Sequence, residues 1–213
     1  MANVVVIGTA YQWHLYSPMY SLEILVDLVK KTNPDIICVE FSPEQLENTA
    51  AGDAKPEYPR AIIPFARKQG ITIVPLQPDP LFWIEQENKV KEEIIRIESA
   101  PDLSEKWEFW KELRSSMGEV YSRSLFDFQC QAYDTWIEII WDKFYSKMFP
   151  GLGKLWEQWN NRFWKVIEKT VNENPQKRIT ITVGNKHKYW LNNKLQSMKS
   201  VEFEHIQKYL NCL

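Results

Sequence analysis

The feature that most constrains this chain is a recurring run of apolar, β-branched residues that stops abruptly at a turn or a charge. Val4-Val5-Val6-Ile7 leads into Gly8-Thr9-Ala10-Tyr11, and Ile36-Ile37-Cys38-Val39 stops at Glu40. Ile71-Thr72-Ile73-Val74 stops at Pro75, and Ile179-Thr180-Ile181-Thr182-Val183 runs into Gly184. Strands apolar at consecutive positions are covered on both faces, which is the environment of a parallel sheet between helices. Between the first two runs, Leu22, Leu25, Val26 and Val29 share one helical face, with Ser17-Pro18 as the expected start and Asn33-Pro34 as the stop. The opening therefore reads as a βαβ unit whose two strands form a parallel pair. The expected fold class is α/β, a mostly parallel sheet flanked by helices.

Further along, Ser42-Pro43-Glu44-Gln45 is a capping box with proline at the first helical position. Residues 50–59 carry no periodicity and read as a loop, either a solvated connection or a mobile lid. A short helix from Arg60 to Gln69 is expected to end at Gly70. From Leu81 to about Thr170 no strand signal occurs, while Trp136, Ile140, Trp141, Phe144 and then Leu155, Trp156, Trp159, Phe163 follow helical spacing. Pro150-Gly151-Leu152-Gly153 is expected to break that run. A large helical insertion before the last core strands follows, with residues 1–80 and 171–213 as the two parts of one α/β core and 81–170 between them. Ser200 to Phe203 is a candidate edge strand.

The chain of 213 residues has a formal charge of −2, which leaves no basic footprint for nucleic acid. Its three cysteines, Cys38, Cys130 and Cys212, have neither zinc nor redox spacing, so reduced thiols and a cytoplasmic location are expected. No leader and no membrane span is read from the sequence. Ten tryptophans point to aromatic core packing, with a homo-oligomer through the Trp-rich helices as an open alternative. Lys177, Arg178, Lys186, Lys188 and Lys194 cluster around the last motif, as a solvated face or as an attractor for an anionic substrate.

In a parallel sheet the carboxyl ends of all strands lie on one edge, where α/β proteins place ligands. Tyr11, Glu40 and His187 all follow strand ends, so they are expected to converge there, with His14 just beyond the first turn. A histidine near a helix N-terminus stays neutral more easily, and a neutral imidazole binds a metal or accepts a proton. A nearby carboxylate serves as a second ligand, a proton acceptor or an orienting group. Each element has an ordinary structural explanation too: an unremarkable turn glycine, a solvated glutamate, an interhelical salt bridge for Arg162.

Taken in order, Gly8-x-x-Tyr11, Glu40, Asn160-Asn161-Arg162-Phe163 and Gly184-x-x-His187 resemble the TraB/PrgY and Tiki superfamily, with its erythromycin-esterase-like and ChaN-like relatives. Asp79 after the third strand matches an acidic position of some members more loosely. The resemblance implies a site at the strand ends and a hydrolase of an amide or ester bond, peptidase-like, acting on a peptide or small molecule. It assigns Glu40, His187, Arg162 and Tyr11 to catalysis and Gly8, Gly184 and Asp79 to substrate contact. It also implies a divalent metal, zinc or manganese, on His187, Glu40 and His14, with haem as the secondary alternative. Tyr11 departs from the pattern, which has histidine there, and a phenol is a poor zinc ligand at neutral pH. That departure favours the alternative of a non-catalytic protein that binds or sequesters a peptide or small ligand.

Overall fold

A computed structural model describes residues 1–47, 54–78, 80–116 and 124–210. The chain starts with strand β1 (Ala2–Thr9) and a single 3-10 turn (Tyr11–Leu15), followed by α1 (Leu22–Thr32), β2 (Ile36–Val39) and α2 (Pro43–Glu47). A π turn (Tyr58–Ile62) continues into α3 (Ile63–Gln69), and β3 (Thr72–Pro75) follows. Then come α4 (Pro80–Ser99), α5 (Pro101–Ser116), α6 (Leu125–Gln129) and α7 (Gln131–Glu138). A second π turn (Ile139–Tyr145) leads into the short α8 (Ser146–Met148) and the long α9 (Pro150–Glu173). The chain closes with β4 (Arg178–Gly184), α10 (Asn185–Gln196), β5 (Val201–Glu204) and α11 (Gln207–Leu210).

The five strands form one sheet in the order β3-β2-β4-β1-β5, and every neighbouring pair is parallel. This corrects the expectation that β1 and β2 pair. They are parallel, but β4 lies between them, with Val6 opposite Ile181 on one side and Cys38 opposite Ile181 on the other. The insertion of β4 puts the turn after Gly184 between the ends of β1 and β2, and so between Tyr11 and Glu40.

The consecutive apolar residues are explained by two cores, one on each face of the sheet. Val5, Ile7, Ile37 and Val39 pack with Leu25, Leu28 and Val29 of α1 and with Ile62, Ile63 and Ala66. Val4, Val6, Cys38, Ile179 and Ile181 pack on the other face with Phe163, Ile167 and Val171 of α9 and Leu191 and Leu195 of α10. Burying both faces of a strand is what makes four apolar residues in a row stable there.

Two helix boundaries differ from the sequence expectation, each for a local reason. Helix α1 starts at Leu22, not at Ser17-Pro18, and the side chain of Ser21 accepts the Ile24 N–H. The preceding residues are tied into a closed loop by His14, which bonds both Ala10 and Tyr20, and α1 begins just after it. At Pro150 the run of helix does not simply break: Pro150 is the first residue of α9, where its missing N–H costs nothing. Gly153 lets this first turn close on α8, since a Cβ there would lie 2.8 Å from the Ser146 backbone. The capping box at Ser42 is made, with Ser42 Oγ accepting the Gln45 N–H and Gln45 Oε1 accepting the Ser42 N–H. Gly70 ends α3 at a φ of 66°. No helix of the described residues is long and apolar enough to cross a membrane.

Candidate functional site

The site is built on the carboxyl ends of β1, β2 and β4. Glu40, directly after β2, is buried and its carboxylate is the hub. Its Oε2 accepts the Gly184 N–H at 2.6 Å, and its Oε1 accepts the Lys55 ammonium at 2.8 Å. The Tyr11 hydroxyl lies 3.5 and 3.4 Å from the two carboxylate oxygens. His187 Nε2 stands 3.8 Å from Oε1. Burial alone would raise the Glu40 carboxyl, but the Lys55 ammonium, the Gly184 N–H and Lys186 oppose it, and the carboxyl is held below its ordinary value. Glu40 is therefore an anion throughout the neutral range.

His187 sits in the first turn of α10, buried, with its ring fixed on three sides. The Trp156 indole stacks on it at a centroid distance of 4.5 Å, and Phe163 meets it edge-on at 5.1 Å. Asn160 donates its Nδ2 to the Trp156 carbonyl, which turns its Oδ1 toward His187 Nδ1 at 2.7 Å. That network assigns the proton to Nδ1 and leaves the Nε2 lone pair facing the Glu40 side. Burial lowers the imidazole to about 3 against the opposing pull of Glu40, and Lys186 and Lys55 lower it further. The ring is neutral near pH 7, with Nε2 unprotonated.

The two glycines of the paired motifs serve packing, not strained turns. A Cβ on Gly184 would fall 1.7 Å from the Tyr11 hydroxyl, so the missing side chain is the space in which the phenol lies. A Cβ on Gly8 would meet the Lys188 Cδ at 3.1 Å and the Asn185 backbone at 3.4 Å. The backbone of Gly8 is fully engaged inside: Tyr20 Oη and Gln129 Nε2 donate to its carbonyl, and its N–H donates to Gln129. Gly8 therefore supports the fold beneath the site rather than contacting a substrate. The strain is at Tyr11, whose φ of 52° is the left-handed region that bulky residues avoid. Strained backbone of this kind persists where the surroundings demand it, often beside functional groups.

Three other expected site residues are placed elsewhere or lie outside the described residues. His14 is buried 4 residues past Ala10, with Nε2 accepting the Ala10 N–H and Nδ1 donating to the Tyr20 carbonyl, both at 2.8 Å. Both nitrogens are used, and burial lowers the ring to about 4, so His14 is a neutral staple and not a ligand. Arg162 is exposed on α9 and stacks its guanidinium over Phe82 at 4.5 Å, away from Glu40 and His187. Asp79, like Cys212 and the start of the loop at 50–59, lies outside the described residues.

The expected metal is corrected by the same geometry. Among the described residues no group of three or more His, Cys, Asp or Glu side chains can hold a metal ion. His14 is committed to the backbone, and the Glu40 oxygens are occupied by an ammonium and an amide N–H, which oppose a cation there. Zinc and manganese have no ligand set on His187, Glu40 and His14. The basic cluster is also not one patch: Lys188 is buried and pairs with Asp134 at 2.8 Å, and it donates to the Gln129 carbonyl.

Sequence reasoning missed Lys55 and Asn160. Lys55 bonds both the side chain and the carbonyl of Glu40 from within the aperiodic loop, where spacing carries no signal. Asn160 did carry one. It falls on the same helical stripe as Trp156, four residues before it, and Phe163, three after it, whereas Arg162 falls off that stripe.

Above the dyad lies a cleft of about 370 Å³ between α4, α9 and the second π turn, lined by Glu40, His187, Lys186, Trp83, Trp156 and Trp159 among others. Compared with family models, with curated proteins and with solved structures, the chain returns no match, so the motif resemblance has no independent support.

Proposed function

We propose that the protein is a metal-free hydrolase of an amide or ester bond, with His187 as the base that activates water. The observation that carries this reading is the arrangement of His187: a neutral ring, held by Asn160 in the Nδ1–H form, with its Nε2 lone pair 3.8 Å from an anionic carboxylate at the floor of a cleft. As water attacks the carbonyl carbon, its proton passes to Nε2, and the imidazolium formed is balanced by Glu40. Collapse of the tetrahedral intermediate returns that proton to the leaving amine or alcohol, and the acyl group departs as a carboxylic acid. The Tyr11 hydroxyl, 3.5 and 3.4 Å from the Glu40 oxygens, adds to the donors around that carboxylate. Lys55 keeps Glu40 charged and in place.

A second reading, a protein that binds or sequesters a peptide or small ligand without turnover, is favoured by one specific observation. Burial holds His187 down to about 3, which makes it a weak base at pH 7, and Glu40 is already saturated with donors. A panel of 4-nitrophenyl esters and aryl amides separates the two. Hydrolysis is expected, and H187A is expected to lower kcat/KM by about 10²–10⁴-fold, the usual worth of a positioned base. E40Q should reduce kcat with KM little changed, because it removes charge that matters once imidazolium forms. Turnover that H187A and E40Q both leave intact, or ligand binding with no turnover at all, removes the hydrolase reading.

A further inference from the structure

The cleft over Glu40 and His187 has a polarity that restricts what fills it. Its walls are mostly aromatic and aliphatic: Trp83 and Trp159 meet edge-to-face at 4.2 Å, and Leu152, Leu155 and Val90 complete the lining. Within this apolar surface one acceptor is unspent. Gln86 is 5% exposed and lines the cleft, and its Oε1 has no hydrogen-bond partner among the described residues. Such an orphan is costly unless something that enters the cleft donates to it.

Among the described residues, two lysines of the lining, Lys91 and Lys186, have no ion pair, and Lys186 is the partly buried one. The charges lining the cleft are Glu40, Glu87, Lys91, Lys186 and His187, which is neutral. Glu40 is paired with Lys55. Glu87 and Lys91 are exposed at the rim, one helical turn apart, and Glu87 accepts the Trp83 indole N–H. Lys186 has no carboxylate within ion-pair distance among the described residues; its ammonium instead rests over the rings of Trp141 and Trp156, at 5.9 and 5.5 Å. Lys186 and Trp141 also line the neighbouring hollow, together with Arg114, Lys111 and Tyr11. Lys111 is bridged to Glu108, which leaves Arg114 and Lys186 as the lining cations of that hollow without an ion pair among the described residues.

We propose that this site selects an anionic aromatic substrate: an aryl group against Trp83, Trp159 and Leu155, a hydrogen-bond donor on Gln86 Oε1, and a carboxylate or sulfonate on the Lys186 ammonium. A charge-assisted hydrogen bond in a largely apolar cleft is the strongest single contact the lining offers. The proposal names the substrate class of the hydrolytic site and rests on that reading. Binding is therefore tested apart from turnover, so that a protein that takes the anion but cleaves nothing loses the hydrolase reading alone.

The test uses two fluorescent probes with the same rings and the same N–H donor. 6-Anilinonaphthalene-2-sulfonate carries the anion, and N-phenyl-2-naphthylamine lacks it. The sulfonate is expected to bind about tenfold more tightly, the usual worth of a hydrogen bond to a charged group. K186M should erase that preference while leaving the neutral amine unchanged, and K186R should keep it. Q86L should weaken both probes by about fivefold, the worth of one neutral hydrogen bond. Circular dichroism checks that each variant is folded, with K186Q replacing K186M if the latter is not. Equal affinity for the two probes, or a preference that survives K186M and K186Q, overturns the proposal.

Discussion

The ends of β1 and β4 carry the same sequence pattern and come to opposite uses. Each is an apolar run, a glycine, two residues and then a ring. After β1, the chain takes a 3-10 turn with Tyr11 strained at its start, and the histidine three residues on, His14, spends both nitrogens on the backbone. After β4, the chain passes directly into α10, and His187 spends one nitrogen on Asn160 and keeps the other toward Glu40. The glycines interlock across the pair: Gly184 makes room for the Tyr11 phenol, and Gly8 makes room for α10. A shared spacing thus brings both segments to one edge of the sheet, and the hydrogen bonds of each ring decide which histidine is chemistry and which is scaffold.

Breaking the two histidines separately is the harshest test of this contrast. H14A orphans the Ala10 N–H and the Tyr20 carbonyl and leaves a cavity, so it should destabilise the fold by about 3–4 kcal/mol, read by urea denaturation. Its residual activity, where folded, should stay near the parent's. H187A should remove nearly all the activity, and because it too empties a buried site and orphans Asn160 Oδ1, it should also cost about 2–3 kcal/mol of stability. An H14A protein as stable as the parent would sink the staple role.

The glycine exchange is next in size. G184A should drive the Tyr11 ring from its place at a cost of about 2 kcal/mol, whereas G8A makes milder overlaps, 3.1 Å to the Lys188 Cδ and 3.4 Å to the Asn185 backbone, and should cost about 1 kcal/mol. Because the first clash is with Tyr11 itself, Y11A should absorb most of it. The G184A/Y11A pair is expected to be non-additive by at least about 1 kcal/mol. Additive effects would mean that the phenol does not occupy the Gly184 space.

The last comparison is the pH dependence of stability. His14 and His187 have folded values of about 4 and about 3, both below the ordinary 6.5, so the unfolded chain binds their protons first. Their contribution is fully present above pH 6.5 and is lost as pH falls toward 4 and 3, by about 1 kcal/mol per pH unit each. Glu57 runs the other way. It is buried, its carboxylate oxygens have no hydrogen-bond partner among the described residues, and burial raises it to about 7. Its contribution is present below pH 4.5 and is lost as pH rises through 7. E57Q should therefore steepen the rise of stability between pH 5 and 6.5 and stabilise the chain at pH 7.5 by about 1–2 kcal/mol. Parallel pH curves for the two proteins would refute this balance.

The strands were legible because β-branched runs buried on both faces leave an unmistakable pattern, and Glu40 and His187 could be brought together from it. Their order was not legible, since nothing local in Val4–Ile7 or Ile36–Val39 records that β4, about 140 residues after β2, slides between them. The role of His14 depended on two backbone groups that have no signature in side-chain spacing. Arg162 was chosen by its chemistry, where helical phase would have favoured its neighbour Asn160, which lies inward with Trp156 and Phe163.

The central claim is that His187 is neutral, with its proton on Nδ1 and its Nε2 free. Nitrogen-15 NMR of histidine-labelled protein between pH 8 and 5 measures this directly. The account predicts a protonated-type Nδ1 and an unprotonated-type Nε2 for His187, unchanged across that range, and collapse of the pattern in N160L. A His187 that titrates near pH 6.5, or that carries its proton on Nε2, would contradict it.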